Sequence, residues 1–427
     1  MPRSTLSRFW GVDVLTTFAG PSTAMSTTLS REQSHFPPEA RTMTPTISKH
    51  CRQFPIRLFA LPIVLLAFLR AAPPLPAQEK SLPPEKRARI EDAVSHFMAS
   101  SSVPGVSVAV VLDGAPVWSS GFGMADLENS VPATSQTLYR LASISKSLTA
   151  VGALQLFERG KLDLDAEVQK YCPAFPKKDW PITTRELLGH LSGIRHYNPG
   201  GKGDIPEDSA KHFASMEESL QVFAGDPLLS KPGTEFHYST YGFTVVGCVM
   251  EKASGQKFFD YLHENVLVPA GMAHTQVDDS FAVVPHRSRW YHKDKTGAVQ
   301  NAGVLDSSYK IPGGGLISSA DDLASFEAAV LAGRLLRPAT LDLMWTAQKT
   351  ADGKSTDYGL GWGVAEVSGV QIRTHTGAQQ GTSTAFILAP ERRAGVVVLT
   401  NMDGLNAGNL ADEILKIILD LPDKKTE

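Results

Sequence analysis

Residues 138–149 read LYRLASISKSLT, and within them Ser143-Ile144-Ser145-Lys146 set a hydroxyl and an amine three residues apart where a strong helical pattern begins. Positions i and i+3 share one face of a helix, so the amine of Lys146 falls beside the oxygen of Ser143. An activated serine needs that geometry: a nucleophile with a base one turn away. Thr149, Ala150, Val151, Ala153, Leu154, Leu156 and Phe157 continue as a long apolar helix, which Gly160 and the turn GKLDLD bring to a stop. A helix of this kind runs through a domain centre. With Ser143 in its first turn, it aims backbone N–H groups and the positive end of its dipole at the reaction site.

The S-x-x-K spacing alone is a weak signal, and it recurs at Ser254–Lys257 and Ser307–Lys310. Ser254 follows a helix end, where Ser-Gly reads as a C-cap. Ser307 lies in a polar stretch before Gly313-Gly314-Gly315. Neither opens a buried helix, so both read as coincidences. Three other segments belong with Ser143. Tyr238 stands in the Pro/Gly-punctuated loop 231–242, just before the apolar helix Val245–Met250. The segment Leu187–Gly193 closes a helix that the capping box Thr183-x-x-Glu186 opens. Arg373-Thr-His-Thr-Gly377 precedes two strand-like runs, Thr384–Leu388 and Gly395–Thr400.

With these motifs in this order, the chain resembles the serine β-lactamase-related family, which includes class C β-lactamases, D-alanyl-D-alanine carboxypeptidases and related esterases. The runs 286–291 (HRSRWY) and 308–315 (SYKIPGGG) look most like its mitochondrial serine β-lactamase-like branch and the bacterial relatives of that branch. The resemblance extends from Ile90 to Ile418. It implies that Ser143 is the acylated serine and Lys146 its partner base, that Tyr238 matches the tyrosine of the Tyr-x-Asn motif, and that His375-Thr376-Gly377 form the third motif on the sheet edge. It also implies an oxyanion hole from the backbone N–H groups of Ser143 and Ala378. The chain departs from the family pattern twice: Thr240 stands where Asn is usual, and His375 where β-lactamases usually have Lys. An imidazole is mostly neutral at pH 7, so His375 is expected to attract anionic substrates less than a lysine would and to favour neutral esters or peptide amides. Tyr358–Gly363 (YGLGWG) also matches a family segment and reads as backbone packing.

The fold expected is α+β. A helix starting at Pro83-Pro84 places Ile90, Val94, Phe97 and Met98 on one face, and Gly105–Leu112 with Pro116–Gly121 form a hairpin around Asp113-Gly114. At the far end, strands near Phe386 and Val396 lead into a closing helix, Leu410–Leu419. Strands from both chain ends with helical material between them argue for one antiparallel sheet flanked by terminal helices, carrying an inserted, mainly helical lobe. The resemblance implies the same β-lactamase/transpeptidase-like design with the site in the cleft between the lobes. The polar, Gly-rich segment Asn198–Lys211 reads either as a mobile loop at the cleft entrance or as a plain surface excursion. Asp321-Asp322 reads as a helix start.

The 427 residues, 42% hydrophobic and 20% charged, suit a globular enzyme with two lobes. A formal net charge of −3 makes no case for nucleic acid. No Walker loop or H-E-x-x-H occurs, so neither cofactor nor metal is expected. The histidines, His190/His196 and His286/His292 among them, read mostly as loop or surface residues.

Residues 1–42 read as a disordered or mis-annotated extension. Residues 43–77 read as a signal peptide: Lys49, Arg52 and Arg57, the apolar run Leu58–Leu69, then small residues to Ala77. Residues 78–427 form the catalytic domain. The expected destination is periplasmic or secreted after cleavage near Ala77; the alternative is an uncleaved membrane anchor. Cys172, in a loop, and Cys248, in an apolar helix, stand in contexts so unlike that a bridge is the lesser expectation.

These readings predict an exported serine hydrolase that cleaves an amide or ester of a peptide or small molecule through an acyl-Ser143 intermediate, with peptidase or esterase action favoured. The alternatives are a β-lactamase and a catalytically silent binding or scaffolding member of the fold. Oligomeric state is left open.

Overall fold

The computed structural model describes residues 81–197 and 209–422. The extension, the leader and positions 198–208 lie outside the described residues. Strands β1 (Gly105–Leu112) and β2 (Ala115–Asp126) pair as the hairpin read from Asp113-Gly114. Both turn residues have positive φ, 52° and 78°, as a tight two-residue connection between right-twisted strands requires. With β3 (Val131–Pro132), β4 (Gly363–Val367), β5 (Val370–Gln379), β6 (Thr382–Ala389) and β7 (Ala394–Thr400), they form a seven-stranded sheet in the order β3-β2-β1-β7-β6-β5-β4. Neighbouring strands are antiparallel throughout. The two ends of the chain therefore meet at the β1–β7 pair, with Val108 opposite Val398.

Both faces of this sheet are covered, which explains why β7 reads as an apolar run without alternation. On one face Val106, Val108, Val110, Ile387, Val396 and Val398 pack with α1 (Pro84–Ser101) and the closing helix Ala407–Leu419. The intervening residues Ala109, Val111, Phe386, Leu388, Val397 and Leu399 join the core of the helical lobe. Each fully buried Val or Leu here stabilises the fold by about 1.5–3 kcal/mol. The β-lactamase/transpeptidase-like architecture expected from the sequence is the one found.

The inserted lobe is built on α2 (Ser145–Glu158) and α3 (Thr240–Ser254). Every residue of α2 from Ser145 to Leu156 is buried, as befits a helix apolar all round. Ser143 does not lie in its first turn as expected. It occupies a 3-10 turn, Ala142–Ile144, just ahead of α2. Ala142 has φ 46°, which no continuous α-helix accommodates, so the chain bends sharply there. Helix α3 begins five residues before the apolar run that announced it, because the Ser239 side chain caps it by accepting the Gly242 N–H at 2.9 Å. The Thr183/Glu186 capping box and the helix start at Asp321-Asp322 both form. No helix of the described residues is long and apolar enough to cross a membrane.

Cys172 and Cys248 are bonded, 76 positions apart. This corrects the expectation of two separate thiols. Both side chains face one core, with Val168 and Phe175 on the loop side and Val245 and Val249 on α3, and local sequence context carries no record of that convergence. The bond closes a long loop. Its removal by Cys248→Ala is expected to cost about 2–5 kcal/mol, read as a lower denaturant midpoint; an unchanged midpoint would show that the bridge does not restrain the folded lobe.

Candidate active site

The reactive cluster gathers where the 3-10 turn, α2 and the edge of β5 converge. Ser143 is half-buried and reachable by solvent, while Lys146, in the first turn of α2, is wholly buried. Lys146 Nζ lies 3.0 Å from Ser143 Oγ, 2.9 Å from Thr240 Oγ1 and 2.6 Å from the Gly313 carbonyl oxygen. Burial first, then the positive charge of Lys310, hold its pKa well below the ordinary lysine value. The amine also sits at the positive end of the α2 dipole, which further disfavours a cation. An unprotonated amine has two hydrogens and one lone pair. A carbonyl only accepts, so one hydrogen goes to Gly313. With the second on Thr240, the lone pair is left for the Ser143 hydroxyl.

Tyr238 reaches the cluster from the loop before α3. Its hydroxyl hydrogen-bonds Ser143, which lowers its pKa, but burial is the larger effect and drives the phenol upward. Lys146 Nζ stands 4.9 Å from the centre of its ring. The structure thus brings Ser143, Lys146, Tyr238 and Thr240 together. Thr240 takes a hydrogen from Lys146, a contact the sequence left open.

The third motif needs a correction. His375 is wholly buried and presents no surface to a ligand. Alternate residues of a strand face opposite ways, and the His375 ring turns inward. Its Nδ1 lies 2.6 Å from the Thr376 carbonyl oxygen and must donate to it, so Nε2 accepts from the Tyr358 hydroxyl at 3.0 Å. Burial first, then Lys146, push its pKa down to about 3. It is neutral, as expected, and its burial keeps the ring itself out of contact with a substrate. Thr376 is half-buried and Ala378 exposed on the same strand edge. Gly377 has no room for a side chain: a Cβ there would meet the Leu141 carbonyl and Thr384 Oγ1. That close approach brings the backbone of β5 against the turn carrying Ser143.

Sequence reasoning missed several neighbours. His190 is wholly buried, at φ 58°, with its ring 4.2 Å from that of Tyr238. Its Nδ1 accepts the Ser239 N–H at 3.1 Å, and the Nδ1 of half-buried His196 accepts the Thr240 N–H at 3.2 Å. Burial foremost, then Lys146, lower both pKa values, that of His196 to about 3. Both stand in loops, as expected, but they are packed against the cluster rather than on the surface. Tyr358 likewise contributes a side chain, although Gly361 bears out the packing read for its segment: its carbonyl accepts from Ser147 Oγ at 2.8 Å. Lys310 belongs to a stretch whose S-x-x-K spacing was coincidental, yet its amine is buried here. Among the described residues no cluster of three His, Cys, Asp or Glu is arranged to hold a metal.

The beta-lactamase family model matches residues 90–419. The chain belongs to the beta-lactamase family. It is 32% identical to the serine beta-lactamase-like protein LACTB, mitochondrial, of Mus musculus, over 71% of each chain. Among solved structures it is similar to the octameric penicillin-binding protein homologue from Pyrococcus abyssi, at 27% identity and a TM-score of 0.70, covering 79% of this chain and 78% of that one. It is also similar to a D-stereospecific amidohydrolase from Streptomyces, at 25% identity and a TM-score of 0.66, covering 77% of this chain and 97% of the other. Beta-lactamase-family relatives thus include mitochondrial and bacterial proteins.

Within this beta-lactamase-family site, Thr240 is open to a direct check. Thr240→Val keeps the shape but leaves a Lys146 hydrogen without an acceptor, a loss of about 1–3 kcal/mol. Phosphonylation of Ser143 by a fluorophosphonate should slow roughly 10–100-fold, whereas Thr240→Ser should react at close to the native rate. Equal rates in both variants would remove Thr240 from the proton circuit.

Proposed function

We propose that this chain is a serine hydrolase that cleaves an ester or amide bond through an acyl-Ser143 intermediate. One observation carries the reading: a wholly buried lysine whose Nζ lies 3.0 Å from the hydroxyl of a solvent-reachable serine. As Ser143 Oγ attacks the substrate carbonyl carbon, its proton passes to Lys146 Nζ. The carbonyl oxygen becomes an oxyanion held by the backbone N–H groups of Ser143 and Ala378. Tyr238, hydrogen-bonded to Ser143, relays a proton to the leaving amine or alcohol as the carbon–leaving-group bond breaks. Water then attacks the acyl carbon, surrendering a proton by the same tyrosine route, and Ser143 regains its hydrogen. Likeness to the D-stereospecific amidohydrolase supports amides of small molecules or peptides among this chain's substrates.

The test is a fluorophosphonate label mapped by peptide mass spectrometry, together with turnover of an uncharged aryl ester, a dipeptide amide and a cephalosporin. The adduct should fall on Ser143 and vanish in Ser143→Ala, with ester or amide turned over faster than the cephalosporin. An adduct on Ser192, Ser254 or Ser307 would overturn the nucleophile. No adduct and no turnover would favour a binding role.

We also propose export through the leader 43–77. The Cys172–Cys248 bond supports it, since such bonds persist mainly in oxidising compartments. Expressed from Met43 in a bacterial host, the protein should appear outside the cytoplasm with an N-terminus near Gln78. Recovery of only a membrane-retained, uncleaved chain would point to an anchor instead.

A further inference from the structure

A tyrosine that relays a proton must present its hydroxyl at one place, yet the chain from Phe236 to Ser239 belongs to no helix or strand. The restraint comes from the segment 190–196. The His190 carbonyl accepts the His237 N–H at 2.9 Å, and the His190 Nδ1 accepts the Ser239 N–H at 3.1 Å. One residue thus takes the backbone N–H on each side of Tyr238. Farther along, the Arg195 carbonyl accepts from Ser239 Oγ at 2.8 Å and His196 Nδ1 accepts the Thr240 N–H at 3.2 Å. An Nδ1 that accepts carries no hydrogen, so the His190 ring proton sits on Nε2 and the gripping form is the neutral imidazole.

The grip is rigid. The rings of Tyr238, Tyr358, Phe243 and Phe236 enclose that of His190, with centres 4.2, 4.8, 5.4 and 5.8 Å away. His190 also holds a left-handed backbone, φ 58°, which bulky residues rarely adopt. With no exposed surface, it cannot touch a substrate. We infer that His190 is a positioning residue for Tyr238: by holding the N–H groups of both neighbours and packing against the phenol, it sets the hydroxyl beside Ser143 and makes it a proton donor to the leaving group. The inference rests on the acyl-Ser143 reading.

Such a role predicts a loss that depends on the leaving group. Ethanol must receive a proton as it departs, whereas nitrophenolate leaves without one. The experiment compares kcat/KM for the ethyl and nitrophenyl esters of one uncharged acid in the native protein and in four single variants: His190→Phe, His190→Gly, His190→Asn and Tyr238→Phe. The double variant His190→Phe/Tyr238→Phe completes the set. Phe keeps a ring and loses the acceptor. Gly takes the left-handed backbone freely and has neither ring nor acceptor. Asn tolerates that backbone and keeps an acceptor oxygen.

In His190→Phe and His190→Gly the ethyl ester should react about 10–100-fold more slowly and the nitrophenyl ester no more than about threefold more slowly. His190→Asn should stay within about threefold of native on both. The double variant should lose no more than Tyr238→Phe alone, since the two residues act as one unit. His190→Gly carries the comparison if His190→Phe does not fold, as judged by circular dichroism. Equal slowing of both esters would make His190 merely structural and overturn the inference. A loss in folded His190→Asn as deep as in His190→Gly would overturn it too, because the acceptor would not be the cause, and so would losses that multiply in the double variant. Native protein that forms no Ser143 adduct would instead refute the acyl-Ser143 reading, and the inference with it.

Discussion

The site depends on a lysine that has been taken out of water. Isolated in bulk solvent, Lys146 would be an ammonium near pH 7 and useless as a base. Sealed behind the 3-10 turn its charged form is disfavoured, and three oxygens surround its nitrogen. The surrounding residues meet the same demand. A carboxylate in this pocket would restore the positive charge on Lys146, and the groups drawn in are imidazoles, phenols and hydroxyls. His190 and His196 each accept a backbone N–H, and His375 is held between a carbonyl and a phenol. Each arrangement requires the neutral ring, so the histidines furnish polarity and shape without opposing charge.

The second constraint is distance. The proposed oxyanion hole needs the backbone amides of Ser143 and Ala378, from unrelated elements, held a few ångströms apart, and side chains ordinarily keep strands and helices farther apart than that. Gly377 removes the obstacle on the sheet side. On the helix side, Ala142 adopts a left-handed backbone that costs about 1–2 kcal/mol. The strain turns the chain abruptly from the short strand Tyr139–Arg140 into α2, leaving the serine at the corner. Cores as densely packed as those on both faces of the sheet can hold such a residue in place.

How much of this was legible in the sequence follows from the range of each interaction. The hairpin at Asp113-Gly114, the apolar strands, the capping box at Thr183 and the Ser143–Lys146 pair are local patterns, and each appears in the structure. The bulk of the cluster is not local. Thr240 meets Lys146 across 94 positions and Gly313 meets it across 167. Cys172 and Cys248 look dissimilar along the chain and coincide in the core. His190 follows the helix Thr184–Leu188 with nothing to mark it as buried; its positive φ and the Ser239 N–H it accepts exist only once α3 is in place. His375 failed differently. Its motif was correctly placed on the sheet edge, but whether its ring faced the cleft or the core depended on Tyr358, a partner from another segment.

Behind the cleft, one guanidinium supports these arrangements. Arg140, two residues before Ala142, is almost wholly buried and pairs with Asp278 at 2.7 Å. It also donates to the carbonyls of Gln380 and Leu305, each at 3.1 Å, and its centre lies 3.4 Å over the Trp290 ring. A buried ion pair adds little net stability, because desolvation of both charges offsets their attraction. What Arg140 contributes is register. The Gln380 carbonyl follows the Ala378 edge of β5, the Leu305 carbonyl precedes the segment bearing Lys310, and the backbone of Arg140 itself leads into the serine turn. Five donors in a rigid plane cannot be satisfied if any of these segments slips, and the cost of leaving a buried charge unpaired is several kcal/mol. The three strands of chain that must converge on Ser143 are thereby held to one arrangement from the dry side of the site, where solvent and substrate do not compete.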